Sequence, residues 1–200
     1  MDESPGQGTD TLSFASITTA ISVNLSDTAA QLVHTDRSIL ISSGTGIENV
    51  TGGSGDDVIY GNGQANELRG NGGHDLLVGL SGNDVLNGGD GFDVLVGGQN
   101  ADTLQDGSGE DLLIAGFTRT IAGLDDDRAF LQNVQVQWTA PAVFNDRVQS
   151  LTPMLVSGLT VLNDSAVDTL SSAADGSLDL LFAALADGVT KDAGDLLTLL

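Results

Sequence analysis

The sequence predicts a mainly all-β fold: a right-handed parallel β-roll (β-solenoid) with an N-terminal β cap and a C-terminal α+β capping segment. Three observations predict it. A nine-residue repeat runs unbroken from Gly52 to Ile114 as GGSGDDVIY, GNGQANELR, GNGGHDLLV, GLSGNDVLN, GGDGFDVLV, GGQNADTLQ and DGSGEDLLI. Position 6 of each unit is an acid or its amide, at Asp57, Asn66, Asp75, Asp84, Asp93, Asp102 and Asp111. Position 8 is aliphatic, at Ile59, Leu68, Leu77, Leu86, Leu95, Leu104 and Leu113. A constant period with fixed chemistry at fixed offsets is the mark of a stacked repeat, in which each unit buries its apolar face against its neighbours. The expected organisation is a β-strand cap over 1–42, the roll over 43–116 and a mixed helical capping module over 117–200.

Residues 10–42 alternate as strands do, in TLSF, ITTAISVNL, AQLVH and SILIS, and are expected to extend the roll or close its open end. The unit SGTGIENVT, from Ser43 to Thr51, is a degenerate repeat that keeps Gly44, Gly46, Glu48 and inward Val50. It reads as a capping half-turn. Within the array, glycine at positions 1, 2 and 4 permits a tight turn with inward carbonyls. The three residues after the acid form a short strand with position 8 facing the interior. Nine residues make half a coil, so units 18 residues apart stack as parallel strands roughly 4.8 Å apart.

The two sheets differ on their outer faces. Odd units present Val58, Tyr60, Leu76, Val78, Val94, Val96, Leu112 and Ile114, whereas even units present Glu67, Arg69, Val85, Asn87, Thr103 and Gln105. An apolar patch of that size calls for a cover. The tail supplies candidates. One helix follows Asp125–Asp127 with Phe130, Leu131, Val134 and Trp138 on one side, and a shorter one follows Pro141 with Phe144, Val148 and Leu151. The chain is therefore expected to be a monomer, with a homodimer through the odd-unit sheet as the alternative. Farther on, Asp168 and Leu170 precede Asp179 and Leu181, but the spacing has slipped from nine to eleven and the glycines are gone. That stretch reads as a relic coil with little calcium affinity.

Composition narrows the partners. With 28 acids against 6 bases the formal net charge is −22, which disfavours nucleic acid and anionic membrane surfaces and favours multivalent cations. No apolar run is long enough for membrane insertion, and the absence of cysteine excludes disulfides and thiolate metal sites. The opening MDESPGQGTD lacks the basic and apolar regions of a signal peptide, so Met1 is expected to lie inside a longer protein. Stacked turns bring two carboxylates and several carbonyls to one point. Such an all-oxygen cage suits Ca²⁺ better than Mg²⁺, which demands octahedral geometry and retains its waters. Without the ion the carboxylates repel and the glycine-rich chain is entropically costly to order, so binding and folding are expected to be coupled.

These nonapeptides resemble the RTX (repeats-in-toxin), or hemolysin-type, calcium-binding repeat family. The resemblance implies that each site takes the carbonyls of positions 2 and 4 and the position-6 acid of one turn. The turn 18 residues later adds the carbonyls of positions 1 and 3 and its own acid. The first implied site is Gly53, Gly55 and Asp57 with Gly70, Gly72 and Asp75; the second is Asn71, Gly73 and Asp75 with Gly88, Asp90 and Asp93. The third is Gly89, Gly91 and Asp93 with Asp106, Ser108 and Asp111. On the even edge, Leu80, Gly82 and Asp84 pair with Gly97, Gln99 and Asp102. A weaker set, Asn62, Gln64 and Asn66 with Gly79, Ser81 and Asp84, lacks one carboxylate, which lowers affinity. The implied load is about four to five Ca²⁺ ions.

No catalytic constellation appears. His74 sits in a turn and His34 on the approach to a strand, and both read as structural. Neither HExxH nor GxSxG occurs. Arg119, Arg128 and Arg147 read as surface pairing or helix contacts. The resulting expectation is a non-enzymatic, calcium-binding module of a secreted or cell-surface bacterial protein, with a structural, export-linked role. The alternatives are an adhesive or ice- or ligand-binding roll, disfavoured by the scarcity of outward threonines, and the non-catalytic C-terminal part of a secreted hydrolase or epimerase. The terminal GDLLTLL resembles the export signal of RTX proteins, but a final packed strand or helical turn is the simpler reading.

Overall fold

In the computed structural model, the described residues are 8–35, 37–41, 46–119, 124–157, 160–162, 168–171, 179–183, 188–190 and 196–199. The chain opens with β1 (Thr11–Ser13), β2 (Ser22–Asn24) and the hairpin of β3 (Ala30–His34) and β4 (Arg37–Leu40). The roll strands follow: β5 (Asn49–Thr51), β6 (Val58–Tyr60), β7 (Glu67–Gly72), β8 (Leu76–Ser81), β9 (Val85–Asp90), β10 (Val94–Gln99), β11 (Thr103–Ser108) and β12 (Leu112–Ile114). Next come β13 (Phe117–Arg119), α1 (Leu124–Trp138), α2 (Phe144–Ser157) and β14 (Thr160–Leu162). The chain closes with β15 (Thr169–Ser171), β16 (Leu180–Ala183), β17 (Gly188–Thr190) and β18 (Leu196–Leu199).

Two parallel sheets form a β-roll. One runs β1-β5-β7-β9-β11-β15-β17 and the other β18-β16-β12-β10-β8-β6-β2. Within the array the register is 18 residues, as in Val58↔Leu76, Val94↔Leu76 and Glu67↔Val85. Position 8 fills the interior: Val50, Ile59, Leu68, Leu77, Leu86, Leu95, Leu104 and Leu113 are all fully buried in one cluster. Fully burying each such side chain contributes about 1.5–3 kcal/mol, so the ladder is the main apolar support of the roll.

The flanks continue the same sheets. β1 and β2 pair parallel with β5 and β6, and the β3–β4 hairpin lies between them in the chain. The unit ending at Thr51 is therefore an interior rung and not the last one, because β1 stacks beyond it. At the other end, Leu104 pairs with Leu170 and Leu113 with Leu181, and β17 and β18 add one further rung to each sheet. The stretch read as a relic coil thus resumes the roll in register, and the C-terminal residues 196–199 form its final strand.

The apolar outer face of the second sheet is covered by the two helices. Leu131, Val134 and Trp138 of α1 and Phe144 and Leu151 of α2 share one buried cluster with Tyr60, Leu76, Val78, Val94, Val96, Leu112 and Ile114. Val78 and Val96 retain only 3% and 2% exposure. The side chains of Asp125–Asp127, expected to cap α1, lie outside the described residues. The other sheet stays polar outside, with Asn87 Nδ2 donating to Gln105 Oε1 at 3.1 Å and Arg69 paired with Glu67.

Candidate metal centre

The position-6 side chains form two buried ladders along the edges of the roll. On the odd edge the N–H of Asp57 donates to Asp75 Oδ1 at 2.7 Å, that of Asp75 to Asp93 Oδ1 at 2.8 Å, and that of Asp93 to Asp111 Oδ1 at 2.7 Å. On the even edge the N–H groups of Asn66 and Asp84 donate to Asp84 Oδ1 and Asp102 Oδ1, both at 2.8 Å. One oxygen of each acid is thus consumed in stacking the turns. The other is not: Oδ2 of Asp75, Asp84, Asp93 and Asp111 is buried with no hydrogen-bond partner. A buried anionic oxygen left unsatisfied is expensive, so the three on the odd edge and the one on the even edge are places that favour positive charge.

Backbone oxygens converge on the same places. A Cβ built on Gly70 would lie 2.1 Å from Asp75 Oδ2 and 2.5 Å from the Gly88 carbonyl oxygen. At Gly88 the corresponding neighbours are Asp93 Oδ2 and the Asp106 carbonyl, both at 2.4 Å, and at Gly79 they are Asp84 Oδ2 at 2.3 Å and the Gly97 carbonyl at 2.5 Å. At Gly52 they are Asp57 Oδ2 at 2.4 Å and the Gly70 carbonyl at 2.6 Å. Position 1 is glycine because a side chain there would fill the oxygen-lined space. In each of the four sets expected from sequence, an acid and a position-1 carbonyl therefore share one cradle.

The remaining expected residues stack in register around these cradles. Asn71 pairs with Gly89, Gly72 with Asp90, Leu80 with Gly98 and Ser81 with Gln99. The position-3 carbonyls of Asp90, Gln99 and Ser108 each accept one N–H, from Gly73, Gly82 and Gly91, and each keeps a second lone pair. The Gly53 and Gly55 turn lies under the N-terminal segment: a Cβ on Gly53 would sit 2.1 Å from the Ile17 carbonyl oxygen, and one on Gly55 2.4 Å from the Thr19 carbonyl carbon. Asp57 differs accordingly, with Oδ1 accepting the Ile21 N–H and Oδ2 the Gly53 N–H.

A model of the RTX calcium-binding nonapeptide repeat matches four overlapping stretches, residues 42–77, 60–95, 69–104 and 87–117. Residues 42–117 are an RTX repeat array. No curated protein matches the chain. The buried, unsatisfied oxygens of the RTX array fit the ion that its repeats bind: an all-oxygen donor set of carboxylates and carbonyls, with no nitrogen or sulfur, is the chemistry of a hard cation.

The electrostatics agree. Burial, reinforced by Asp93, pushes Asp75 up to about 9, and burial with Asp93, Asp179 and Asp106 nearby pushes Asp111 up to about 10. Asp84 and Asp93 rise to about 7, chiefly through burial. Asp57 also rises through burial, against which the Gly53 and Ile21 N–H groups pull. These shifts state that the ion-free roll holds its acids poorly as anions.

The weak fifth set is closed by hydrogen bonds. Asn66 Nδ2 donates to the Glu48 carbonyl at 2.9 Å and Oδ1 accepts the Asn62 N–H at 2.8 Å. Both histidines have structural partners: His74 Nδ1 accepts the Phe92 N–H at 2.9 Å, and His34 Nε2 lies 2.6 Å from Thr19 Oγ1.

The structure also shows a column that sequence reasoning missed. Position 5 of successive odd turns is His74, Phe92 and Glu110, and the helices grip all three. Gln135 Nε2 donates to the His74 carbonyl at 2.7 Å and Trp138 Nε1 to the Glu110 carbonyl at 2.9 Å. Arg147, expected at the surface or in helix contacts, is only 2% exposed. It pairs with Glu110, its guanidinium 4.6 Å from the Phe92 ring centroid and 5.2 Å from that of Trp138. The helix contacts are present, but they are buried ones. The other missed residues are Asp168 and Asp179, which take position 6 in the resumed coil: their Oδ1 atoms accept the Asp102 and Asp111 N–H groups, each at 2.8 Å.

Proposed function

We propose that this chain is a calcium-dependent folding module of a secreted or cell-surface bacterial protein, unfolded at low calcium and folded outside the cell. The supporting observation is the set of buried, unsatisfied carboxylate oxygens at Asp75, Asp84, Asp93 and Asp111, of which those of Asp75, Asp84 and Asp93 lie beside the position-1 carbonyls of Gly88, Gly97 and Asp106. Ordering this chain without a counter-charge means burying unpaired acids, so the ion and the fold stabilise one another. The proposed ligands are the four sets named above, Gly53, Gly55 and Asp57 through Gln99 and Asp102, for four of the expected four to five ions, the fifth set being the one that Asn66 closes by hydrogen bonds. Its role is structural and export-linked: a chain unable to fold in a low-calcium cytosol remains threadable, and extracellular calcium then fixes it. The module is proposed to act without catalysis and as a monomer, since α1 and α2 already occupy the apolar sheet.

Far-UV circular dichroism of the chain during a Ca²⁺ titration, with Mg²⁺ as control, tests this reading. Strand signal gained with Ca²⁺ at millimolar concentration or below, and not with Mg²⁺, is the expected result. A chain fully folded in excess chelator overturns it.

A further inference from the structure

Three of the four odd units of the array begin with glycine, at Gly52, Gly70 and Gly88, and the last begins with Asp106. A side chain there occupies the space that the other units leave open to oxygen ligands. Asp106 is buried, as are Asp111 and Asp179, and carboxylate oxygens of the three lie within 4.8 Å of one another. Asp179 comes 68 residues after Asp111, beyond the helices, yet its Oδ1 accepts the Asp111 N–H as Asp111 accepts that of Asp93. Asp111, whose carboxylate belongs to the cluster, is fully buried, and its Oδ2 has no hydrogen-bond partner, while the charges of Asp106 and Asp179 both act on it.

We propose that Asp106, Asp111 and Asp179 form an additional Ca²⁺ site that fastens the C-terminal rungs, β16 and β18, to the roll across the helical insertion. The proposal rests on the calcium-binding reading above, and it departs from the expectation that the resumed coil has little calcium affinity. Two oxygens on opposite sides of one Ca²⁺, at about 2.3–2.6 Å each, stand roughly 5 Å apart at most, which accommodates this cluster. Around Mg²⁺ the limit is about 4.2 Å, so the cluster would have to contract. The chemistry also differs from the repeat sites: three carboxylates converge where those have two acids and backbone carbonyls. Asp106 enters the expected third site through its carbonyl and this one through its side chain, so a single residue would serve adjacent ions. The consequence is topological. A bound ion would bridge two parts of the sequence that no repeat spacing connects, giving β16 a calcium-dependent anchor.

The test uses the full chain and its Asp179→Asn and Asp106→Asn variants, each near-isosteric. Bound Ca²⁺ is counted by equilibrium dialysis, and hydrogen exchange is followed in strands 94–99 and 180–183 at saturating Ca²⁺. Each variant is expected to bind one ion fewer and to lose at least tenfold protection in 180–183, with 94–99 protected as in the parent. An unchanged ion count in both variants overturns the site, even if 180–183 loosens, since Asp179 would then act only through its hydrogen bond to Asp111. A parent chain that takes up no calcium overturns both this site and the function it rests on. Normal uptake by the parent with no change in the variants overturns the site alone.

Discussion

At the scale of the residue, the stacked turns leave little room and the acids little solvent. Gly89 has φ 113°, and a Cβ there would meet the Asn71 carbonyl oxygen at 2.0 Å. Gly89→Ala therefore combines backbone strain with a clash, and the expected cost exceeds about 1 kcal/mol in calcium-loaded chemical denaturation. Gly63 provides the contrast, because a Cβ there meets nothing within 4 Å; Gly63→Ala is expected to be neutral or to stabilise by about 0.4–1 kcal/mol. Leu80 shows that the turn dictates the backbone, since it holds φ 79° at a position the repeat usually gives to glycine. The acids carry a pH dependence. Asp75 and Asp111 have native pKa values near 9 and 10 in the ion-free roll, above the ordinary value of 3.8. The folded ion-free state then binds more protons than the unfolded chain between pH 4 and 9–10. Its stability is greatest below pH 4 and falls as pH rises through that window. Calcium requires the deprotonated acids, and the unfolded chain already carries them ionised at neutral pH. Binding coupled to folding is therefore expected to release few protons, whereas binding to a preformed ion-free roll would release them. Calorimetry in buffers of different ionisation enthalpy separates the two: nearly buffer-independent heats are expected, and strongly buffer-dependent heats would mean that calcium meets a roll already folded.

At the scale of the element, the helices are held by packing and by the position-5 column together. Trp138 is fully buried on the odd sheet, contacts Phe144 edge-on at 5.8 Å between ring centroids, and donates to the Glu110 carbonyl. Trp138→Ala is expected to cost about 3–5 kcal/mol and to raise hydrogen exchange in β8 and β10, whose outward Val78 and Val96 it helps to cover. Because Gln135, Trp138 and Arg147 grip turns adjacent to Asp75, Asp93 and Asp111, docking of the helices depends on the odd edge being ordered. Much of this level was legible in sequence. Alternation of apolar positions placed Leu131, Val134, Trp138, Phe144 and Leu151 on the covering face, and the asymmetry of the repeats named the sheet that needed a cover. What was illegible has physical reasons. Arg147 lies on an amphipathic helix where an arginine ordinarily faces water, and its burial is explained by Glu110 and Phe92, both distant in sequence, together with the Trp138 ring. Asp168 and Asp179 kept the acid-x-aliphatic signature, but the eleven-residue spacing broke the period. The pairing survives the slip: Leu170 and Leu181 still stack on Leu104 and Leu113.

At the scale of the whole molecule, a roll whose rungs touch only their neighbours behaves as a one-dimensional stack, with stability passed from interface to interface. The acids make that coupling chemical. Asp93 belongs to two of the proposed odd-edge sites, the second and the third, whereas Asp57 belongs to the first alone. Asp57 is also tied down without an ion, by the Ile21 and Gly53 N–H groups, while Asp93 keeps an unsatisfied Oδ2 in the middle of the ladder. Loss of charge at the two positions should therefore be felt differently. Asp57→Asn is expected to remove one bound ion and leave the calcium-dependent folding transition steep. Asp93→Asn is expected to remove two, to shift the folding midpoint to higher calcium and to broaden the transition, because the interrupted stack folds in two parts. Equilibrium dialysis gives the ion counts and circular dichroism the midpoint and steepness. Equal losses at Asp57 and Asp93 would mean that each acid serves a single ion, and the shared-ligand ladder would have to be replaced by independent sites.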